Sequence, residues 1–447
     1  MSELGEFQKI DHLIEKMKKN GVHKLIFKRL SPNDNSKNQL YLGSSYNILQ
    51  MLPMGDIYTD YSKKDSKRDR FKANINFYWL DTNGEIYHAP KSQLILYPKY
   101  PEVRLSGFLA QATKKPSQYM ASRIENRIII IGITNEQKII SHVIGPNNQI
   151  SDELKQFEDP SSNIILKTIF DTSKSIDTRN QLLAKLLEIH KKGWVNGQKL
   201  SNKDGLQPYA GQNAGGYTLE ALAGIKANGD NKPDYLGWEL KQHVTLLNQP
   251  LKGGPVTLMT PEPTGGIYKD DGIIKFMNKF GYPDKNGIPN RLNFGGIHKY
   301  GLKTKITGLS LLLEGYDHEK KKISNVDGGI ILESDQGEIA AKWHFSKLIE
   351  MWNKKHAQTA YIPCEKNKEH NSLYRYGYVV ALGEGTNFDK FLFSLINGDI
   401  YYDPGIKLEN ISSQTPKSKK RSQIRIKAKD IPYLYEKCEE INLLNIK

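Results

Sequence analysis

The chain has 447 residues, 38% hydrophobic and 10% aromatic, which describes a folded protein with room for two or three domains rather than a disordered one. Against 49 Asp and Glu stand 64 Lys and Arg; the net charge of +15 favours a polyanionic partner, nucleic acid ahead of membrane because no basic amphipathic helix stands out. Two cysteines without a CxxC pair, Cys364 and Cys438, argue for a reducing cytoplasm and against a structural zinc site, and the absence of any long apolar run argues against secretion or a membrane span.

Ile10, Leu13, Ile14 and Met17 fall at helical spacing and predict an amphipathic helix over 8–19. KLIFKRL (24–30) reads as a strand and SPNDNSKNQLYLG (31–43) as an ordered, turn-rich loop leading into another. INFYWL (75–80), QLILYP (93–98) and RIIIIGI (127–133) are further strands, separated by Gly, Pro and Asn. Together they predict a β-rich N-terminal domain over 1–175. NQLLAKLLEIHKK (180–192) is helical, either a connector spanning 176–199 or the first helix of the second domain. From 200 to 447 glycines are dense and helices alternate with strands. TLEALAGIK (218–226) is a short helix, WELKQHVTLL (238–247) a strand, and GPVTLMT (254–260) a second strand that pairs with it through NQPLKG. AKWHFSKLIEMWNKKHA (341–357) reads as one amphipathic helix, and YRYGYVVALG (374–383) and GDIYYDP (398–404) as strands. The predicted class is α+β: a β-rich domain, then a mixed sheet with flanking helices.

The segment KPDYLGWELKQH carries more charge than a buried strand needs. A strand alternates faces, so Glu239 and Lys241 project to one side and Leu240 to the other. Asp234 precedes a bend, Tyr235-Leu236-Gly237, that brings its carboxylate back beside Glu239. Two carboxylates converging at a strand end form a hard oxygen site of the kind that holds Mg²⁺, with positions left open for water and phosphate oxygens. A lysine two residues on can touch both a scissile phosphate and the attacking water. Such a set suits phosphodiester hydrolysis. Three other E-x-K triplets occur, starting at Glu136, Glu153 and Glu319. The second repeats the letters ELKQ, but it follows Ser151-Asp152 as at a helix start, where a solvated acid is expected.

Pro233-Asp234-x4-Glu239-Leu240-Lys241 resembles the PD-(D/E)xK nuclease signature. The longer run GGYTLEALAGI followed by KPDYLGWELK resembles the MvaI/BcnI branch of restriction endonucleases, with MutH and Sau3AI as more distant relatives sharing the G-x-E-L-K form. The resemblance covers roughly 195–447. It implies a PD-(D/E)xK restriction-endonuclease-like catalytic domain over 200–447 that acts as a monomer on double-stranded DNA, with Mg²⁺ as cofactor and Mn²⁺ as its substitute. It also implies Asp234 and Glu239 as metal ligands, Lys241 as the phosphate and water contact, and Glu220 as an accessory acid whose ordinary alternative is a solvated helix glutamate.

Other residues suit DNA contact. His243 shares the face of Lys241, although a hydrogen-bonded structural histidine explains it equally well. NRLNFGGIHKYG (290–301) sets Arg291, His298 and Lys299 beside a Gly-Gly pair, as in a loop approaching DNA or an ordinary turn. The tail KSKKRSQIRIK carries Lys419, Lys420, Arg421, Gln423 and Arg425, with Arg and Gln suited to guanine and adenine in the major groove; a solvated basic loop is the alternative. Trp343, Leu348 and Trp352 read as core, and His344 and His356 as poor metal ligands. In the front domain, KRLSPNDNSKNQLYLG and YPEVRLSGFL, with Arg104, have the texture of a DNA-reading surface, a structural or oligomerisation role being the alternative. The expected function is a sequence-specific or modification-dependent DNA endonuclease of restriction defence. Its rivals are a MutH-like strand-nicking repair enzyme and a DNA-binding protein without catalysis.

Overall fold

The computed structural model describes residues 3–32, 39–43, 48–49, 51–61, 70–97, 102–158, 165–172, 178–227, 233–370 and 372–446. The chain divides into two compact units: Met1–Asp177 with Lys322–Val326, and Thr178–Lys321 with Asp327–Lys447. Part of the expected loop over 31–43, the end of the strand expected to reach Pro98, Tyr100-Pro101 of YPEVRLSGFL and the composition break near 175 lie outside the described residues.

The first unit is β-rich. One six-stranded sheet runs in the order Lys167–Asp171, Val22–Leu30, Arg127–Thr134, Lys138–Ile144, Asn76–Leu80, Ile86–His88; a second, five-stranded and antiparallel, includes Gln39–Gly43, Glu102–Ser106 and Gln93–Tyr97. The isoleucine run of Arg127–Thr134 is buried at every position, as expected of a strand covered on both faces. The helix Ile10–Lys19 buries Ile10, Leu13 and Met17 in the cluster that contains Leu25, Phe27, Ile128 and Ile140. At 150–157 a helical turn passes into a 3₁₀ turn. Glu153 is half-buried there rather than solvated. Its Oε2 accepts the Ile10 N–H at 2.9 Å and so caps the first helix, where Lys9 provides no side-chain cap.

The second unit is organised around the strand Gln358–Lys366, buried from Thr359 to Cys364. Glu239–Val244 runs parallel to it, Glu239 opposite Thr359 and Val244 opposite Cys364. On it also lie Val379–Glu384 and Leu373–Tyr376, both antiparallel, so the expected strand 374–383 is broken at Gly377, whose N–H bonds Pro363 O at 2.8 Å. Leu240, Ala360, Ile362, Cys364, Val380 and Leu382 share one core cluster with Leu182, Leu183, Leu186 and Ile189 of the helix Thr178–Lys191 and with Leu219 of the helix Ala214–Leu222. The helix Thr178–Lys191 therefore belongs to this core. Alternation turns Glu239, Lys241 and His243 to the other face.

Three expectations are corrected here. Pro255–Met259 does not pair with Glu239–Val244; it pairs with Ile424–Lys427, which also pairs with Ile400–Tyr402. A short apolar alternation announces a strand without naming its neighbour. The helix expected from 341 starts at Phe345, and Ile339–His344 is instead a strand against Gly329–Glu333. The buried Ala341 and Trp343 satisfy a period of two as well as a helical one, and Trp343 Nε1 donates to Pro261 O at 2.9 Å. Trp343, Leu348 and Trp352 are all buried, as a core reading requires. The helix expected at 218–226 begins four residues earlier, at Ala214, and ends at Leu222, two residues before Gly224 with its positive φ of 80°. Among the described residues no helix is long and apolar enough to cross a membrane.

Candidate active site

The site grows out of a two-residue turn. Tyr235 and Trp238 exchange backbone hydrogen bonds of 2.9 and 2.8 Å across Leu236 and Gly237, whose φ angles are 49° and 88°. Positive φ at both central positions suits glycine and disfavours leucine, so the turn holds a local strain that the buried Trp238 on its far side helps to fix. This reversal carries Asp234 back along the strand, where its Oδ2 accepts the Leu240 N–H at 2.9 Å. The bend read from the sequence is thus the device that sets Asp234 beside Glu239.

Glu239 is 2% exposed. Its Oε1 accepts from Lys241 Nζ at 2.5 Å and faces Lys355 Nζ at 3.9 Å, whereas its buried Oε2 has no hydrogen-bond partner among the described residues. Burial pushes the Glu239 carboxyl up, but Lys241 and Lys355 outweigh it and hold the group below the usual carboxylate range. Burial likewise pulls Lys241 down, and Glu239 more than restores it, so this lysine stays charged. The remaining acids go the other way: Asp234 is raised to about 6 by burial and then by Glu239, and Glu220 to about 7 by burial and then by Asp234. Carboxylates competing for protons around an unpartnered buried oxygen form a donor set that fits a hard divalent cation. Among the described residues no three or more His, Cys, Asp or Glu close into a metal cage, so water or phosphate oxygens would complete the sphere.

Glu220, Asp234, Glu239, Lys241 and Lys355 line one cavity of about 640 Å³, and so do Arg421, Gln423 and Arg425 of the C-terminal tail. Arg421 Nη1 donates to Gln212 Oε1 at 3.2 Å, and Arg425 pairs with Asp403 at 2.7 Å. The four acid and lysine positions singled out in the sequence and three of the tail residues therefore meet.

The rest of the expected DNA contacts scatter. His298 is fully buried, Nδ1 on Gly296 O at 2.9 Å and Nε2 on Thr307 Oγ1 at 2.8 Å, so the groove contact expected of it is corrected to a structural role. Arg291 is also tied down, 3.3 Å from Asp284 and 3.9 Å from Glu409 with its side chain 13% exposed. His243 lines the cavity but is buried, with Nε2 on Lys252 O at 3.1 Å; of the two readings the structural one describes this bond. Lys299 is half-buried. Lys419 is exposed and paired with Glu409 at 3.0 Å, and Lys420 lies 3.9 Å from Glu262. In the first unit Arg104 pairs with Glu102 at 3.0 Å and lies over the Tyr97 ring.

Sequence reasoning missed Lys355. It ends the helix Phe345–Lys355 and reaches Glu239 only because the next strand, Gln358–Lys366, runs parallel to Glu239–Val244. No local pattern announces a contact across more than a hundred residues. His356, passed over as a metal ligand, is buried and stacked on Trp352 at 4.2 Å, with Nε2 on Leu258 O.

The sequence profile of the MvaI/BcnI restriction endonuclease family matches residues 183–435, more than half of the chain. Among solved structures, the chain is similar to a restriction endonuclease MvaI–cognate DNA substrate complex, at 19% identity and a TM-score of 0.43, over 58% of this chain and 97% of that one. It is also similar to restriction endonuclease MvaI in the absence of DNA, at 17% identity and a TM-score of 0.33, over 59% and 98%. No curated protein sequence matches.

Proposed function

This chain belongs to the MvaI/BcnI restriction endonuclease family, which makes it a DNA-cleaving enzyme, and from that premise we propose that it hydrolyses phosphodiester bonds of duplex DNA at a specific or modified sequence, using Mg²⁺. The observation that carries this reading is the buried Glu239 carboxylate, bonded to Lys241 through one oxygen and, among the described residues, unpartnered at the other, with Asp234 beside it. Asp234 and Glu239 would hold the cation, which when bound supplies Lewis-acid neutralisation of phosphate charge and acidifies water. Lys241, kept charged by Glu239, would donate from Nζ to a non-bridging phosphate oxygen. Glu220, raised to about 7, can hold or release a proton at neutral pH and serves as the accessory acid. Arg421, Gln423 and Arg425, on the same cavity, suit base edges.

Conversion of supercoiled plasmid in Mg²⁺ tests this. Linear product is expected from the parent and none from Asp234→Ala, which should still bind DNA in Ca²⁺. Nicked circles alone would favour a repair-type nickase, and unchanged cutting by a folded Asp234→Ala would overturn the assignment.

The first unit, on this reading, adds affinity, effector control or selection of a modified base by raising the local concentration of DNA, and no chemistry. A cut near 185 would strip the core leucines Leu182 and Leu183 from the nuclease unit; one within 173–177 keeps them, with Lys322–Val326 of the first unit left on the C-terminal piece. The C-terminal piece should then cut with metal but with altered site choice, and the front piece should bind DNA and cut nothing.

A further inference from the structure

Between Asn290 and Gly308 the chain has four Lys and Arg and no acid. Within it, the excursion 296–308 exposes three large apolar side chains: Ile297 at 54%, Leu302 at 60% and Ile306 at 36%. Exposed aliphatic side chains gathered on one segment are commonly an interaction surface. This one is firmly tied. His298, buried, bonds Gly296 O through one ring nitrogen and Thr307 Oγ1 through the other, fastening the two ends together. Thr304 Oγ1 donates to Ile297 O at 3.2 Å, Gly301 N–H to Leu311 O at 2.9 Å, and Gly308 N–H to Thr304 O at 2.8 Å. The excursion is also joined, through one further strand, to the strand that carries the cavity-lining Arg425. His298 and Tyr402 exchange backbone bonds of 2.8 and 3.0 Å, and Tyr402 pairs with the strand that carries Arg425.

A tied-down segment that carries lysines and three exposed aliphatic side chains suits duplex DNA, whose phosphates take Lys299 and Lys305 while sugars and base edges offer apolar contact. Of the four cations, Arg291 is tied to Asp284 and Lys303 pairs with Asp335, which leaves Lys299 and Lys305 as the ones offered to phosphate. We propose that 296–308 is an apolar wedge that seats Ile297, Leu302 and Ile306 in a groove of the bound duplex beside the cavity, with Lys299 and Lys305 on the flanking phosphates; this rests on the nuclease reading above. His298 is then the pin that holds the wedge, which is why it is buried.

The test uses the full chain in Ca²⁺ with a duplex that the parent cuts in Mg²⁺. I297S/L302S/I306S should bind this duplex about 10- to 100-fold more weakly. The factor should be equal at low and high salt, because no phosphate contact is lost. Its melting temperature should be unchanged or higher, since the three side chains are exposed. Leu302→Cys carrying a photo-crosslinker should label DNA. Parental affinity in the triple variant, or cross-links to a second copy of the chain alone, would overturn the wedge while leaving the nuclease reading intact. A parent that binds no DNA would sink both.

Discussion

The tetrapeptide Glu-Leu-Lys-Gln occurs twice, at 153–156 and at 239–242, and the structure gives the copies opposite fates. In the first, Lys155 points to solvent and pairs with Asp152 at 2.8 Å, both side chains at least 70% exposed, while Glu153 caps a neighbouring helix. In the second, the glutamate is 2% exposed, the lysine side chain 19%, and the two are joined at 2.5 Å next to Asp234. The letters are equal; the surroundings differ. A turn delivers a second carboxylate to one copy, and a parallel strand brings Lys355. Desolvation then amplifies every charge interaction. An acid near a helix start gains only a modest bond from the same charge.

If the surroundings make the second copy a catalytic site, changing them should be felt there first. Lys355→Ala leaves the motif letters untouched but removes one of the two cations beside Glu239. Cleavage should fall about tenfold with the circular-dichroism spectrum unchanged. A parental rate in single-turnover assays would confine the site to the motif itself.

Glu220→Gln sharpens the comparison through pH. Burial and then Asp234 raise this carboxyl to about 7, above its unfolded value. The protonated form therefore stabilises the fold fully below the unfolded pKa, and that contribution is lost as pH rises through about 7. In chelator at pH 8 the glutamine variant should be the more stable by on the order of 2 kcal/mol, and at pH 4 the gain should vanish. Thermal melts at both pH values check this. Equal melts at pH 8 would make Glu220 an ordinary solvated helix residue.

The smallest effect belongs to the first copy. Glu153→Ala should lower stability by about 1 kcal/mol through the lost cap on Ile10 and leave the cleavage rate within a few-fold of the parent. A denaturant titration and a rate measurement on one preparation decide it.

Much of the site was legible because its parts are close in sequence. The glycine at 237, the acid at 234 and the alternation through Glu239 and Lys241 are local signals, and the turn obeys them. What was not legible depends on pairing. The strand alternation of 254–260 was real, yet its partner is Ile424–Lys427, more than 150 residues on. Trp343 is core but lies in a strand rather than the expected helix, because burial of Ala341 and Trp343 is compatible with both periods. His298 looked like a DNA ligand because histidine beside glycines and lysine has that texture. Only the structure shows both ring nitrogens already engaged.

The most direct measurement is the Mg²⁺-dependent cleavage rate of Lys241→Ala and Lys155→Ala, purified side by side and shown to be folded. Catalysis at the second copy requires that the first variant lose about a thousandfold or more, as expected when a charged contact to the reacting phosphate is removed, and that the second stay within a few-fold of the parent. Loss of activity in Lys155→Ala with retention in Lys241→Ala would contradict it.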